Sequence, residues 1–500
     1  MGGRDGERGA GVAPRGGAPA AAARGSWLAG VTSFYGLTMT LPVFGLGFSM
    51  CFCYASQRLA CNPMDGAFQI LQYAGMVLAS VLIAVGAAVT RRDVSTRPSV
   101  TVAMLALSVA VAPFVALPGP WVASPRAMAA IALVDGLAVG WVCVAWGAFY
   151  ARLDARQAFA GVCGMLVLSS VVKVFYDLLD NDAVGAVTLA ALPVASLACL
   201  RAARATQARG ENLARDAGRA DVTAGVGRYD RSTVGTLRWY LLGLAAIVVG
   251  VAMSMSVVLN VFGLPFWYRV ASQALTAGIA VALPASIWRG VDQTIDSHDF
   301  GFLAVLIVAS GLAAGVLFGV PLGHLSAAIF TTAQMMTIGF VWFVLSDVAH
   351  RCDAPADVPI GLIWGLVFSL PMGVGLLLPH VAPLPMDAQS ISVLALWVLL
   401  VGVALMRQRQ SPELRLFAGF SPRMAGGLDE SATSRLAALA QGRGLTAREL
   451  EVAELYAQGR SRTFISAQLV ISENTVRDHL KSVYRKLGIH SKQELIDLIE

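Results

Sequence analysis

Of the 500 residues, 56% are hydrophobic and only 14% are charged, and the mean hydropathy is +0.67. An ordinary soluble chain carries about 25% charged residues, so a soluble enzyme of several domains is excluded. Charge is also segregated: residues 27–406 hold 37 charged side chains in 380 positions, and residues 407–500 hold 25 in 94. The first stretch reads as membrane and the second as a water-soluble domain.

Residues 1–26 are Gly, Ala and Arg with almost no large apolar side chain. Such a segment cannot bury enough surface to fold, so a disordered N-terminus is expected. It is not read as a signal peptide, because the apolar run behind it is too long and eleven more follow.

A membrane span needs about 20 mostly apolar residues. Twelve stretches qualify, at about 27–52, 67–89, 100–118, 127–150, 157–178, 183–200, 239–262, 267–288, 300–320, 324–347, 358–379 and 389–406. Many carry Gly and Ala, which allow close helix approach in lipid. With the N-terminus inside, the inner flanks hold 21 arginines and the outer loops only Arg58, Arg126 and Arg269. This asymmetry predicts both termini in the cytoplasm and a bacterial inner-membrane location. The loop at about 201–238 splits the spans six and six. In span number and loop pattern residues 27–406 resemble the major facilitator superfamily, whose halves are joined by a long cytoplasmic loop. That family's Gly/Asp/Arg-rich motif after the second span is missing: the loop reads Thr90-Arg-Arg-Asp-Val-Ser-Thr-Arg97, without glycine. The departure weighs against active transport.

Ionisable groups in spans are costly and usually face the bundle interior. Gln69, Gln72, Asp135, Lys173, Asn260, Gln273 and His324 fall in the outer halves of their spans, and Gln334 falls near the middle. Gln72, Asp135, Lys173, Asp177, Asn260, Gln273 and Gln334 are the candidate ligand-pocket residues. Lys173 and Asp177, four apart, could pair on one helix face, or Lys173 could snorkel to the interface. The bland alternative is that polar residues simply lie near span ends. Trp121, Trp267 and Tyr268 read as an interfacial belt.

Residues 407–441, with Pro412, Pro422 and Gly426-Gly427, read as a linker with room for a short helix at 431–441. The domain at 442–500 then opens on Leu445-Thr446. Thr446 and Glu449 suit a capping box, with Leu445 and Leu450 as its staple. Gly459 ends that helix. A second helix starts behind Ser461, and Ser472 caps a third that Gly488 ends. Ser491 and Glu494 open a fourth. In the third, Val476, Leu480, Val483 and Leu487 recur on one buried face, while Asn474, Arg477, Asp478, Lys481 and Arg485 share the other. The domain's net charge is only about +1, so the placement of its charge, rather than the amount, suggests DNA.

The runs Thr446-x-Arg-Glu-x-Glu-Val452, Gln458-Gly459, Ile471-Ser-Glu-Asn-Thr-Val-Arg-Asp-His-Leu480 and Tyr484-Arg-Lys-Leu-Gly488 resemble the LuxR-type helix-turn-helix. The resemblance implies a four-helix module that dimerises on double-stranded DNA. It would place Arg477, Asp478 and Lys481 at base edges, and Ser461, Arg462, Thr475, His479 and Arg485 near phosphates. The scaffold helix departs from that family at Phe464-Ile465-Ser466.

Seven cysteines without a CxxC pair do not suggest a zinc site, although one disulfide among Cys51, Cys53 and Cys61 is conceivable. No P-loop, HExxH or nucleophile elbow occurs, so no catalytic residue, metal or cofactor is assigned. The fold expected is all-α: about twelve transmembrane helices, 6+6, and a cytoplasmic helix-turn-helix. The function expected is a membrane-bound one-component transcription regulator sensing a small molecule, with RNA polymerase as a further partner. The alternative is a major-facilitator-like transporter carrying a regulatory DNA-binding domain.

Overall fold

In lipid a backbone must satisfy its own hydrogen bonds, and a helix does this within one segment. The computed structural model describes residues 41–59, 66–116, 124–178, 182–216, 231–262, 264–288, 320–381 and 388–407, apart from 154 and 353. In the C-terminal part it describes 436, 439–440, 442–457, 465–466, 469, 471–489, 494–495 and 498. No strand occurs among these residues.

After a 3-10 turn at Leu41–Phe44, the first half contains α1 (Leu46–Leu59), α2 (Ala67–Thr90), α3 (Pro98–Ala116), α4 (Pro125–Tyr150), α5 (Ala155–Leu178) and α6 (Asp182–Asp216). The second half contains α7 (Arg231–Phe262), α8 (Phe266–Trp288), α9 (Val320–Arg351), α10 (Asp357–Leu362), α11 (Leu370–Val381) and α12 (Ala388–Arg407). A π-helical segment, Ile363–Ser369, joins α10 to α11. Eight helices among the described residues are long and apolar enough to cross a membrane, and Leu46–Ala55 and Ile391–Met406 are shorter apolar helices. All but the last position of the expected span at 300–320 lies outside the described residues, as do the first part of 27–52 and Trp121. α6 continues to Asp216, into what the sequence suggested was loop. Its extension is rich in Ala and Arg, both good helix formers.

Large apolar side chains such as Val89, Phe175, Val187 and Trp397 lie on the outer surface of the bundle. Exposed apolar area of this kind marks a surface that lipid covers. Inside, Trp146, Phe149, Tyr150, Trp342, Trp364 and Phe368 form a buried aromatic core in which Tyr150 meets Trp342 across the halves at 6.1 Å.

Two glycines bring α2 and α4 together. A Cβ on Gly136 would sit 2.0 Å from the Gln72 carbonyl oxygen, and one on Gly75 would sit 2.3 Å from that of Leu133. This close backbone approach sets Gln72 beside Asp135.

The halves are tied at the loop after α2. Asp357 Oδ2, in the first turn of α10, accepts from Val94 N at 2.6 Å and Ser95 N at 2.7 Å, and its Oδ1 accepts from Ser95 Oγ at 2.7 Å. Asp93 pairs with Arg152 at 3.3 Å and accepts from Asp357 N at 3.3 Å. Trp141 Nε1 donates to Ser95 O at 2.9 Å. The loop after α2 is thus clamped across the bundle although the glycine-rich motif is missing. A carboxylate at a helix start also complements the helix dipole.

The C-terminal segment has its own cores. Val452, Ile465, Val476 and Leu480 form one cluster, and Leu436, Ala453, Ala457, Val483, Leu487, Ile489 and Leu495 form another. Leu436 is fully buried there, so this packing unit begins before residue 442.

Candidate nucleic-acid interface and membrane pocket

The soluble unit is built on α13 (Ala447–Ala457) and α14 (Glu473–Leu487). The capping box forms: Glu449 N donates to Thr446 Oγ1 at 3.2 Å, and Thr446 N donates to Glu449 Oε2 at 2.8 Å. Lys486, in the last turn of α14, donates to the same Oε2 at 2.6 Å and to Gly444 O at 3.0 Å. One carboxylate therefore caps α13 and pins α14 to it. Burial opposes ionisation of Glu449, but hydrogen bonds from Lys486, Ser482 and Thr446 outweigh it and bring its pKa down to about 2.

Ser472 accepts from Thr475 N at 3.1 Å, and Gly488 closes α14 at φ 75°. Arg448 donates to Leu469 O at 2.5 Å and so anchors the turn before α14. Val476, Leu480, Val483 and Leu487 are buried. At 3.6 residues per turn, Asn474, Arg477, Asp478, Lys481 and Arg485 share an arc of roughly 100°, and all five are exposed. Arg477 donates to Asn474 within this face. Thr475 and His479 are half-buried on its flank. Gly459, Ser461, Arg462, Phe464 and Ser491 lie outside the described residues. Lys486 and Arg448 organise the unit without having been singled out from the sequence, where they show only as members of the motif.

In the bundle, Gln72 Nε2 donates to Asp135 Oδ2 at 2.5 Å, and both side chains are fully buried. Cys53 Sγ lies 3.9 Å from Gln72 Oε1. Lys173 is 2% exposed; its Nζ meets Met335 Sδ at 3.2 Å and the Tyr54 ring at 5.1 Å. It neither snorkels nor pairs with Asp177. Asp177 instead accepts from Tyr54 Oη at 3.0 Å and pairs with Arg269 Nε at 3.1 Å. This second tie joins the halves at the end opposite Asp357. Gln334 Nε2 donates to Met255 Sδ at 3.2 Å. Gln273 is buried, and its Oε1 has no hydrogen-bond partner among the described residues. The Asn260 side chain lies outside them. Tyr54 and Arg269 are functional neighbours that the sequence does not single out; there Arg269 shows only as an outer-flank charge. Cys51 and Cys53 are not bonded to each other in a disulfide, and Cys61 lies outside the described residues.

These features define a helix-turn-helix regulator domain joined to a bundle of membrane-spanning helices. Residues 443–499 match the family described as bacterial regulatory proteins, luxR family. The spore germination protein GerE of Bacillus subtilis is 40% identical over 52 residues, which are 10% of this chain and 70% of that protein. The nitrate/nitrite response regulator protein homolog of Haemophilus influenzae is 48% identical over 48 residues, 10% of this chain and 23% of that one. A chain from the exeN 3′ region of Aeromonas salmonicida is 42% identical over 69 residues, 14% of this chain and 35% of that one. The chain belongs to the LuxR family of bacterial regulatory proteins through this C-terminal domain.

The bundle is similar to the proton:xylose symporter XylE of the major facilitator superfamily. The TM-score is 0.51 at 14% identity, covering 79% of this chain and 100% of that one. It is also similar to a bacterial homologue of the iron transporter ferroportin, with TM-score 0.50 at 11% identity, covering 74% and 99%. These likenesses show a shared fold.

Proposed function

We propose that this multi-pass membrane protein is a one-component transcription regulator, not an enzyme. Its bundle senses a small molecule and its helix-turn-helix binds promoter DNA from the membrane surface. The carrying observation is the exposed face of α14. Guanidinium, ammonium and amide groups share one arc of a helix whose caps and buried face are fixed from within the unit. In this reading Arg477, Asp478 and Lys481 contact base edges. Ser461, Arg462, Thr475, His479 and Arg485 contact phosphates, which position the helix without specifying sequence. The arginine asymmetry supports an inner-membrane location with both termini cytoplasmic. The functional species on DNA is a homodimer, with RNA polymerase as the further partner.

The test is genome-wide occupancy of the tagged full-length protein in its host, beside an Arg477→Ala/Lys481→Ala double variant. A few sites lost in the variant would support the reading. No variant-sensitive site under any growth condition would sink it.

One observation favours a second reading, transport. Polar ties join the halves at both ends of the bundle, one through Asp357 and one through Asp177, as alternating access would need. Gradient-coupled uptake of a solute by the purified chain in vesicles would support it.

A further inference from the structure

We propose that the ligand of the bundle is an anionic, carboxylate-bearing small molecule, held by the Lys173 ammonium beneath the Tyr54–Asp177–Arg269 tie. The proposal rests on the sensor reading above and gives that site its chemistry.

A buried ammonium costs several kcal/mol to desolvate unless a counter-charge and hydrogen bonds offset it. Lys173 is 2% exposed, and no carboxylate among the described residues lies within ion-pair distance of it. Its hydrogen-bond partner is the Met335 thioether, a weak acceptor. The nearby carboxylates are engaged elsewhere: Asp177 by Tyr54 and Arg269, Asp135 by Gln72. Of the titratable groups around the ammonium, Cys51 and Cys53 lie within its electrostatic reach, and Asp135 within that of Cys53.

A second buried donor is in the same condition. Gln334, the neighbour of Met335 on α9, also donates to a methionine sulfur, Met255 Sδ. Unbranched thioether side chains move aside easily. A carboxylate would displace Met335 from Nζ and supply a counter-charge that none of the described residues provides.

Position couples this site to the tie. Lys173 and Asp177 lie one turn apart on α5, about 6 Å along the axis. Tyr54 touches both, its ring against the ammonium and its hydroxyl on the carboxylate. An anion on Lys173 therefore meets the residue that holds the tie shut.

Cys53 is a built-in reporter. In the full-length chain in lipid nanodiscs, with the other cysteines changed to Ser, its modification by two methanethiosulfonates would be compared. One carries an anionic sulfonatoethyl group and the other a cationic trimethylammonioethyl group. Each rate is normalised to that with a small free thiol. The expected result is a preference of tenfold or more for the anionic reagent, kept in Lys173→Arg and lost in Lys173→Gln. Should Lys173→Gln not fold, slowing of the anionic reaction by benzoate but not by benzamide gives the same answer. A ratio of one or below, a ratio unchanged in Lys173→Gln, benzamide matching benzoate, or no modification by either reagent would overturn the proposal. The readout involves no DNA. Ligand-responsive promoter occupancy without anion preference at Cys53 would leave the regulator standing and remove only this assignment.

Discussion

Glu449 carries more of the soluble unit's stability than its place in a short motif suggests. Its side chain is 7% exposed and holds Thr446 N at 2.8 Å and Lys486 Nζ at 2.6 Å. Its pKa falls from 4.5 to about 2 in the folded state. One unit corresponds to about 1.4 kcal/mol, so linkage bounds the contribution at roughly 3 kcal/mol. The sign follows from the lowered folded value: the contribution is complete above the unfolded pKa and disappears as pH falls through the folded one. The unit has its own buried clusters, so residues 407–500 can be unfolded in urea by themselves. Wild type should exceed Glu449→Gln by about 2–3 kcal/mol at pH 7, and the gap should close between pH 4.5 and 2. Other carboxylates titrate in both proteins and cancel in the difference. A gap below 0.5 kcal/mol at pH 7, or one that persists at pH 2, would refute the account of this carboxylate as cap and clamp.

Ser472→Ala removes the α14 cap and should cost about 1 kcal/mol in the same urea experiment; an unchanged midpoint would mean that Thr475 N finds another partner. Gly136→Val puts branched carbons where the Gln72 carbonyl sits, 2.0 Å from a Cβ, and should lower the melting temperature of the full chain by several degrees or more. Unaltered melting would show that α2 and α4 can separate without cost. Asp357→Asn leaves one acceptor oxygen for the three donors from Val94 and Ser95. Since a charge-assisted bond is worth about 1.5–3 kcal/mol, alkylation of half-buried Cys352 nearby should quicken at least several-fold. Equal rates would argue against a clamp at that end.

What could be read from the sequence was local. Thr446, Glu449, Ser472 and Gly488 each sit at the helix boundary their chemistry demands, because a cap needs only neighbours three or four residues away. The apolar runs show as helices for the same reason. The ties between halves were hidden because their partners are far apart in the chain: Asp177 lies 92 positions from Arg269, and Asp357 lies 262 from Ser95. The i,i+4 spacing of Lys173 and Asp177 suggested a pair, yet Arg269 competes better for the carboxylate. A guanidinium loses less on leaving water than an ammonium does. The loop after α2 lacks the glycine-rich motif, but two of the three donors to Asp357 are backbone amides, which any side chain can accompany. Leu436 sat in a stretch rich in Pro and Gly that concealed its membership of the soluble core.

The two ties also determine how the bundle could signal. The Asp357 end joins the two halves through hydrogen bonds to Val94, Ser95 and Asp93 and the Asp177 end through the Arg269 ion pair, so each biases which end is open by a few kcal/mol at most. A ligand alters DNA occupancy only if it binds one arrangement better than another. Loosening the Asp177 end should favour opening there and strain the Asp357 end shut, and loosening the Asp357 end should do the reverse. Arg269→Gln and Asp357→Asn should therefore shift transcription from a bound promoter in opposite directions, each measured in the full-length chain at matched expression. A shift of both in the same direction would mean that the soluble unit responds to loss of bundle stability and not to its state. No shift in either would disconnect the bundle from the DNA and leave α12 as an anchor.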